Sequence, residues 1–322
     1  MIWMMKKILS LLTALCMVFA LTAASAEPVA RVAGMKGPTA MGMVKMMQDD
    51  ADETYDFNVI VAIDEINTML VKGELDIAAV PANVASVLYN KTQGNIQVLA
   101  LNTLGVLYIV ENGDTVQSIE DLRGRTIYSA GKGATPEYAL NYVLSANGID
   151  PEKDVTIEYK SEQAECLSAL LANEGSVAMM PQPFVTTAQS KSEGIRVALD
   201  MTEEWAKLQE GVENPSAMLT GVVVARKEFA EQNPEVVNAF LDSYKASVDF
   251  TNANVDEAAA IIAAYDIIPE AVARKAVPYC SIVCIEGAEM QTKLAGYLNV
   301  LFEQNPSAVG GALPNDDFYY QR

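Results

Sequence analysis

The chain of 322 residues carries 22 basic and 42 acidic side chains, a formal charge of −20, and no histidine. The acidic balance opposes nucleic acid and anionic membrane surfaces by long-range repulsion, and the lack of histidine removes Ser-His and Cys-His catalysis together with His-rich zinc or manganese sites. It does not exclude an anionic ligand, because a few cations in a cleft can still hold one.

The first element is not part of the fold. Met1 to Lys7 carries two lysines and no acid, Ile8 to Leu21 is almost uniformly apolar, and Ala24-Ser25-Ala26 has the small residues that signal peptidase reads. The apolar stretch is too short to span a bilayer comfortably. Residues 1–26 are therefore expected to be a cleaved secretory signal, with the mature chain starting near Glu27. A lipidated Cys16 is the alternative, disfavoured by bulky Leu15 before it and by apolar Met17 to Leu21 after it. Cleavage leaves Cys166, Cys280 and Cys284, an odd set that cannot pair fully within the chain. Buried free thiols are expected, and Cys280 and Cys284 could pair only if the backbone between them bends.

The apolar run beginning at Val32 ends near Gly34 and predicts a first strand, followed by Lys36-Gly37-Pro38-Thr39 and a helix from about Thr39. Strand patterns follow at 55–62, 76–83, 96–110, 125–130, 155–159, 176–181, 195–200 and 218–225. Helical patterns lie between them at 64–73, 83–91, 134–147, 163–173 and 184–193. This alternation predicts an α/β fold of parallel strands with helices on both faces. After Ala225 the chain reads as helical, from Lys227 to Phe250, Asp256 to Tyr265 and Glu289 to Glu303, with one apolar run at 281–285. Pro234 and Pro269 suit first helical turns.

Two segments read as crossings between lobes. The run 96–110 has two strand-like halves around Asn102-Thr103 and Gly105, and 218–225 has Thr220-Gly221 within it. Two crossings separated by a domain's worth of sequence predict an inserted second lobe: 27–107 plus 224–322 for lobe 1 and 108–223 for lobe 2. A cleft on two extended hinges is a ligand trap by construction.

Candidate binding residues follow from the strand ends, where ligands of open parallel sheets sit. In lobe 1 these are Lys36, Gly37, Pro38 and Thr39: a full charge, a close backbone approach, a rigid turn and a hydroxyl beside the free amides of a helix start. In lobe 2 the matching turn is Gly131-Lys132-Gly133, with Gly133, Ala134 and Thr135 as candidates. It has neither P-loop nor dinucleotide-fingerprint spacing. Asn83 after the third strand, Asn102 at the first crossing, and Gln182 with Pro183 complete the set. Asn83 reads equally well as a helix cap. Tyr128, Tyr138 or Phe184 could stack on a flat ligand, with Glu162 reading a polar edge. Met35, Met41, Met43, Met46 and Met47 could build a copper(I) site, but are expected to fill core, with Met41 or Met43 facing the cleft. No carboxylate pair argues for acid-base work, so no catalytic residue and no metal or other cofactor is expected.

The segments "DIAAVPANVASVLYNK", "GATPEYALNYVL", "MMPQPFVTTA" and "VVVARKEFAEQNPEVVNAFLDSYKASVDF" resemble the solute-binding proteins of ABC importers, in the branch that binds taurine, alkanesulfonates, nitrate and thiamine-pyrimidine precursors. The resemblance covers the mature chain and implies a type II periplasmic-binding architecture, two α/β lobes closing on a ligand. It also implies an exported, monomeric protein, in the periplasm or on the outer face of the cytoplasmic membrane. Such a protein captures a sulfonate-, carboxylate- or pyrimidine-like solute and delivers it to a membrane permease. The turn at Gly133 is similar to the G-S-T-x-x-Y stretch of sulfonate binders, with Ala134 in place of the serine, so the resemblance leaves the grip to Thr135 and the amides of Gly133 to Thr135. A sensory ligand-binding module shares this architecture. So do pyrimidine-precursor synthases, whose cysteine cluster and histidine the chain lacks.

Sequencing the N-terminus of the exported protein should give a start at or near Glu27. A lipid-modified Cys16 at the new terminus would contradict the signal-peptide assignment.

Overall fold

The computed structural model describes residues 29–51, 53–213 and 215–322; the expected signal 1–26 and Cys16 lie outside the described residues. The first sheet is built on strand β1 (Ala30–Met35), which lies between β2 (Tyr55–Ile60) and β3 (Ile77–Pro81) and runs parallel to both. Beyond β3 come β10 (Leu219–Arg226), β4 (Ile96–Leu104) and β11 (Ile282–Ile285). The second sheet has the order β7 (Thr156–Lys160), β6 (Thr126–Ala130), β8 (Val177–Pro181), β5 (Leu107–Asn112) and β9 (Ile195–Asp200). Each sheet carries helices on both faces, giving two α/β lobes.

The strands are not all parallel, as the alternation predicted. In the first sheet β10 is antiparallel to β3 and β4, and in the second β5 is antiparallel to β8 and β9. The reason is the crossing itself. A strand that enters a lobe from the other lobe starts at the cleft, where the parallel strands end, and so must run back against them. All of Leu219–Arg226 pairs within the first sheet.

Side-chain alternation divides each strand between two layers. From β1, Val32 joins the layer under α1 (Pro38–Met41), α2 (Val44–Asp49), the long α10 (Pro234–Ala253), α11 (Val255–Ala264) and α12 (Glu270–Ala276). Ala33 faces the opposite layer with α3 (Ile63–Lys72) and α4 (Ala82–Lys91). That second layer is continuous with lobe 2, through α5 (Thr135–Ala146), α8 (Met201–Leu208) and α13 (Gly287–Gln304). Fully buried Trp205 of α8 is the link, its ring 4.3 Å from Tyr142 of α5 and 5.8 Å from Tyr297 of α13. On its far face lobe 2 packs α6 (Gln163–Ala172) and α7 (Phe184–Lys191). The short helix α8 had no counterpart among the predicted elements.

Each lobe buries one carboxylate away from the cleft. Asp76, just before β3, accepts from Arg31 Nε and Nη2 at 2.8 Å each and from Arg226 Nη2 at 2.7 Å, tying together β1, β3 and β10. Burial alone would raise its pKa, but the hydrogen bonds from Arg31 and Arg226 outweigh it and hold the carboxyl below the usual range. In lobe 2, fully buried Glu111 accepts from Val116 N at 3.0 Å and Arg196 Nη2 at 2.9 Å, and from the Thr115 backbone and hydroxyl. Here too burial pushes upward and hydrogen bonding wins, leaving the pKa lowered. Cys166, Cys280 and Cys284 are free thiols. Burial pushes Cys280 and Cys284 up to about 12 and Cys166 to about 11, so none is a thiolate at neutral pH.

A carboxyl with a depressed folded pKa contributes stability that is present above its unfolded value, about 4, and lost as the pH falls through the folded one. Asp76→Asn should therefore cost roughly 2–4 kcal/mol in urea unfolding at pH 7, because it removes the counter-charge of two guanidinium groups and turns one of the two acceptor oxygens into a donor facing them. The gap to wild type should narrow below about pH 4; a gap independent of pH would contradict the clamp.

Candidate ligand-binding cleft

A cavity of about 440 Å³ lies between the lobes, beyond the carboxyl ends of β1 and β8 and against both crossings. This is the position expected for a ligand in an open α/β sheet, and the volume is that of a small-molecule site. Lobe 1 supplies Met35, Lys36, Gly37, Pro38 and Thr39, and lobe 2 supplies Thr135, Pro136, Pro181, Gln182, Pro183 and Phe184. Val106, Leu107 and Thr220 of the crossings form the floor, and Ile267 and Ile268 complete the rim.

The chain leaves β1 through Gly37, whose φ of 132° favours glycine. The helix expected there is a single turn, Pro38–Met41, so its backbone dipole is small. Thr39 Oγ1 donates to Met35 O at 2.8 Å and is therefore committed to the turn. Met41 and Met43 fill core, as expected of the methionines here, but neither faces the cleft; Met35 lines the cavity instead. Lys36 Nζ reaches Asp266 Oδ2 at 3.0 Å, linking the end of β1 to the segment before Ile267. Asp266 is fully exposed, so this pair is screened and worth little on its own.

The crossing positions this turn. Asn102 is buried and donates from Nδ2 to Thr39 O at 3.2 Å. It does not line the cavity; it holds a residue that does. Pairing along β4 and β10 skips Leu99 and Asn102 on one strand and Thr220 on the other, so Asn102 and Thr220 are bulged residues at the cleft end of the pair. Gly221, between them in register, lies so close that a Cβ there would meet Asn102 Oδ1 at 2.4 Å and Thr39 Cγ2 at 2.6 Å.

In lobe 2 Gln182 is 3% exposed. Its Oε1 accepts from Thr186 N at 3.2 Å and Thr186 Oγ1 at 2.9 Å. A backbone N–H can only donate, so the amide orientation is fixed, and Nε2 has no acceptor among the described residues. Thr135 plays a different part from the one expected. Its hydroxyl accepts from Tyr297 Oη at 3.2 Å and donates to Asn83 Oδ1 at 3.4 Å, joining α5 to α13 and α4. Burial pushes the Tyr297 phenol above its usual range, so it stays a neutral donor. Asn83 also donates to Ala308 O at 3.3 Å, and belongs to this seam between lobes rather than to the cavity wall.

Two further expectations are corrected. Gly133 N donates to Glu137 Oε2 at 2.5 Å and Ala134 N to Gly131 O at 3.1 Å, so neither amide is free for a ligand and neither residue lines the cavity. Glu137 is the cause: an acid in the first turn of α5 takes the amide that an anion would need. Of the aromatic candidates Phe184 lines the cavity. Tyr128 sits under Lys160, Tyr138 accepts from Asn305 at 3.1 Å in the seam, and Glu162 stands at the N-terminal boundary of α6, outside the wall and with no side-chain bond to the helix. The apolar lining from Val106, Leu107, Pro136, Ile267 and Ile268 was not anticipated, although the Ile268-Pro269 break and the Gly105 crossing marked both places. Among the described residues no cluster of Cys, Asp or Glu is arranged to hold a metal ion, and no helix is long and apolar enough to cross a membrane.

Residues 39–269 match the family model described as ABC transporter, phosphonate, periplasmic substrate-binding protein. The chain is 25% identical over 224 residues to the putative binding protein YtlA of Bacillus subtilis, a match covering 59% of this chain and 66% of that protein. Among solved structures it superposes on an ABC transporter protein from Parabacteroides distasonis with a TM-score of 0.76 at 23% identity, covering 92% of this chain and 100% of that one. It also superposes on the periplasmic aliphatic sulphonate binding protein SsuA of Escherichia coli, with a TM-score of 0.70 at 16% identity over 90% and 95% of the two chains. Similarity at these identities establishes the fold.

Replacing Gly221 with Ala should cost about 1–3 kcal/mol of stability, because neither Asn102 nor the Thr39 turn can give way without losing their hydrogen bond. Urea unfolding measures it. A neutral substitution would mean that the bulged crossing is loose.

Proposed function

This chain belongs to the family of periplasmic substrate-binding proteins of ABC transporters, and we propose that it captures a small solute between its lobes and hands it to a membrane permease. One observation carries this: residues from both lobes, Lys36 and Thr39 on one and Gln182 and Phe184 on the other, line a single cavity against the two crossings that join the lobes. A ligand touching both walls is buried only when the lobes are closed, so its binding favours closure. We further propose lobe boundaries near 29–105 plus 218–322 and 106–217, with hinges at Gly105-Val106 and Pro215 to Met218, where each crossing has left one sheet and not yet entered the other. The export signal, an extracytoplasmic site of action and a monomeric state go with this function. Sensory and enzymatic roles are not favoured by any side-chain arrangement in the cleft.

The test does not depend on guessing the solute. The secreted protein, incubated with a low-molecular-mass filtrate of rich medium, should show a smaller radius of gyration by solution scattering than the dialysed protein. A thermal shift should accompany closure, since a ligand at a hundred times its dissociation constant adds about 2.7 kcal/mol. Deleting the gene should abolish uptake of the solute released on denaturation. An unchanged profile with every filtrate fraction would contradict a capture mechanism.

A further inference from the structure

We propose that the solute has a substantial apolar body, carries at most one negative charge, and presents a hydrogen-bond acceptor to Gln182 Nε2; small inorganic oxyanions and dianions are not the ligands. This rests on the solute-binding function proposed above and narrows it.

Three observations lead to this class. The wall is dominated by Met35, Val106, Leu107, Phe184, Ile267 and Ile268, with prolines between them. Such a surface rewards an apolar body and gives an oxyanion nothing in place of its hydration shell. The charge is also nearly balanced. Lys36 is the one charged side chain lining the cavity among the described residues, and it already bonds Asp266 at 3.0 Å. A dianion entering here would meet one cation that is already paired. Two of the amides that could have made up the difference are taken, that of Gly133 by Glu137 and that of Ala134 by Gly131, and the helix after Lys36 is a single turn with a small dipole.

Gln182 supplies the directional contact. It is 3% exposed, its Oε1 is held by Thr186, and its Nε2 lies at the cavity wall with no acceptor among the described residues. A donor left without a protein acceptor at the cavity wall is met by water when the cleft is empty, so a ligand that offers a carbonyl, ring nitrogen or single anionic oxygen there is selected over one that displaces the water and leaves the donor unpaired. A neutral amide, a flat heterocycle or an aryl or alkyl monoanion meets all three conditions.

Calorimetric titration of the secreted protein with nitrate, phosphate, methylphosphonate, phenylphosphonate, benzenesulfonate and benzamide tests the class. Benzamide and benzenesulfonate should bind at least about tenfold more tightly than phosphate, nitrate and methylphosphonate, and phenylphosphonate should gain less from its ring. Gln182→Glu keeps an oxygen for Thr186 but removes the NH₂ donor. It should weaken benzamide roughly tenfold or more, with an unfolding midpoint close to wild type. Phosphate or methylphosphonate binding as tightly as the aryl probes would overturn the class while leaving solute capture intact. So would an unchanged benzamide affinity in Gln182→Glu. A response to none of the six would overturn it as well, and the filtrate experiment, which assumes no ligand class, then decides separately whether the protein captures a solute at all.

Discussion

The opposed bulges at Asn102 and Thr220, at the cleft end of the β4–β10 pair, are the constraint on which the rest of the cleft depends. A regular ladder would point Asn102 and Thr220 along the sheet with their neighbours. Skipping one residue on each strand turns Asn102 onto the Thr39 carbonyl and brings Thr220 to the cavity floor. It also forces the residue between them to be glycine. The same stretch holds three buried oxygens without a partner among the described residues, on Asn102, Thr103 and Thr220. Each such group costs free energy, and their concentration at the crossing is the pattern of a segment selected for geometry at the expense of local stability.

The cleft is asymmetric. On one side Tyr297, Thr135 and Asn83 form a hydrogen-bonded seam, backed by Trp205 in an apolar layer that runs through both lobes. On the other, Lys36 pairs with Asp266 of the same lobe, and lobe 2 meets lobe 1 where Tyr108 Oη donates to Tyr279 O at 3.0 Å and α7 packs against α12. Breaking the seam would expose aromatic surface and unpair buried hydroxyls, whereas the Lys36–Asp266 pair, lying within one lobe, does not resist opening. The two buried carboxylates, Asp76 and Glu111, stiffen the far end of each lobe and leave compliance to the crossings.

The alternation of strands and helices was legible because apolar runs of five or six residues, separated by amphipathic helices, leave few alternatives. The predicted strands and helices of 55 to 200 lie within about three residues of those observed. Strand direction was not legible, since the pattern of β10 is the same whichever way it runs. Of the candidate site residues, Lys36, Gly37, Pro38, Thr39, Thr135, Gln182 and Pro183 meet around one cavity, because strand ends can be read from sequence. Asn83, Asn102, Gly133 and Ala134 were read from their own chemistry, and their actual partners, Ala308, Thr39, Glu137 and Gly131, decide otherwise. Of these Ala308 is more than two hundred residues away in sequence, and no local pattern announces it. The apolar character of the lining was missed for a related reason: Ile267 and Met35 look like core in any window.

Methionine methyl NMR places the ligand most directly. With ¹³C-methyl methionine in the secreted protein, the Met35 signal should shift on saturation with the best-binding solute, because Met35 lines the cavity. The signal of Met46, which is buried under α10 in the other layer of lobe 1, should stay where it is. Saturation that leaves Met35 unmoved would contradict the account, since the solute would then bind somewhere other than between the lobes.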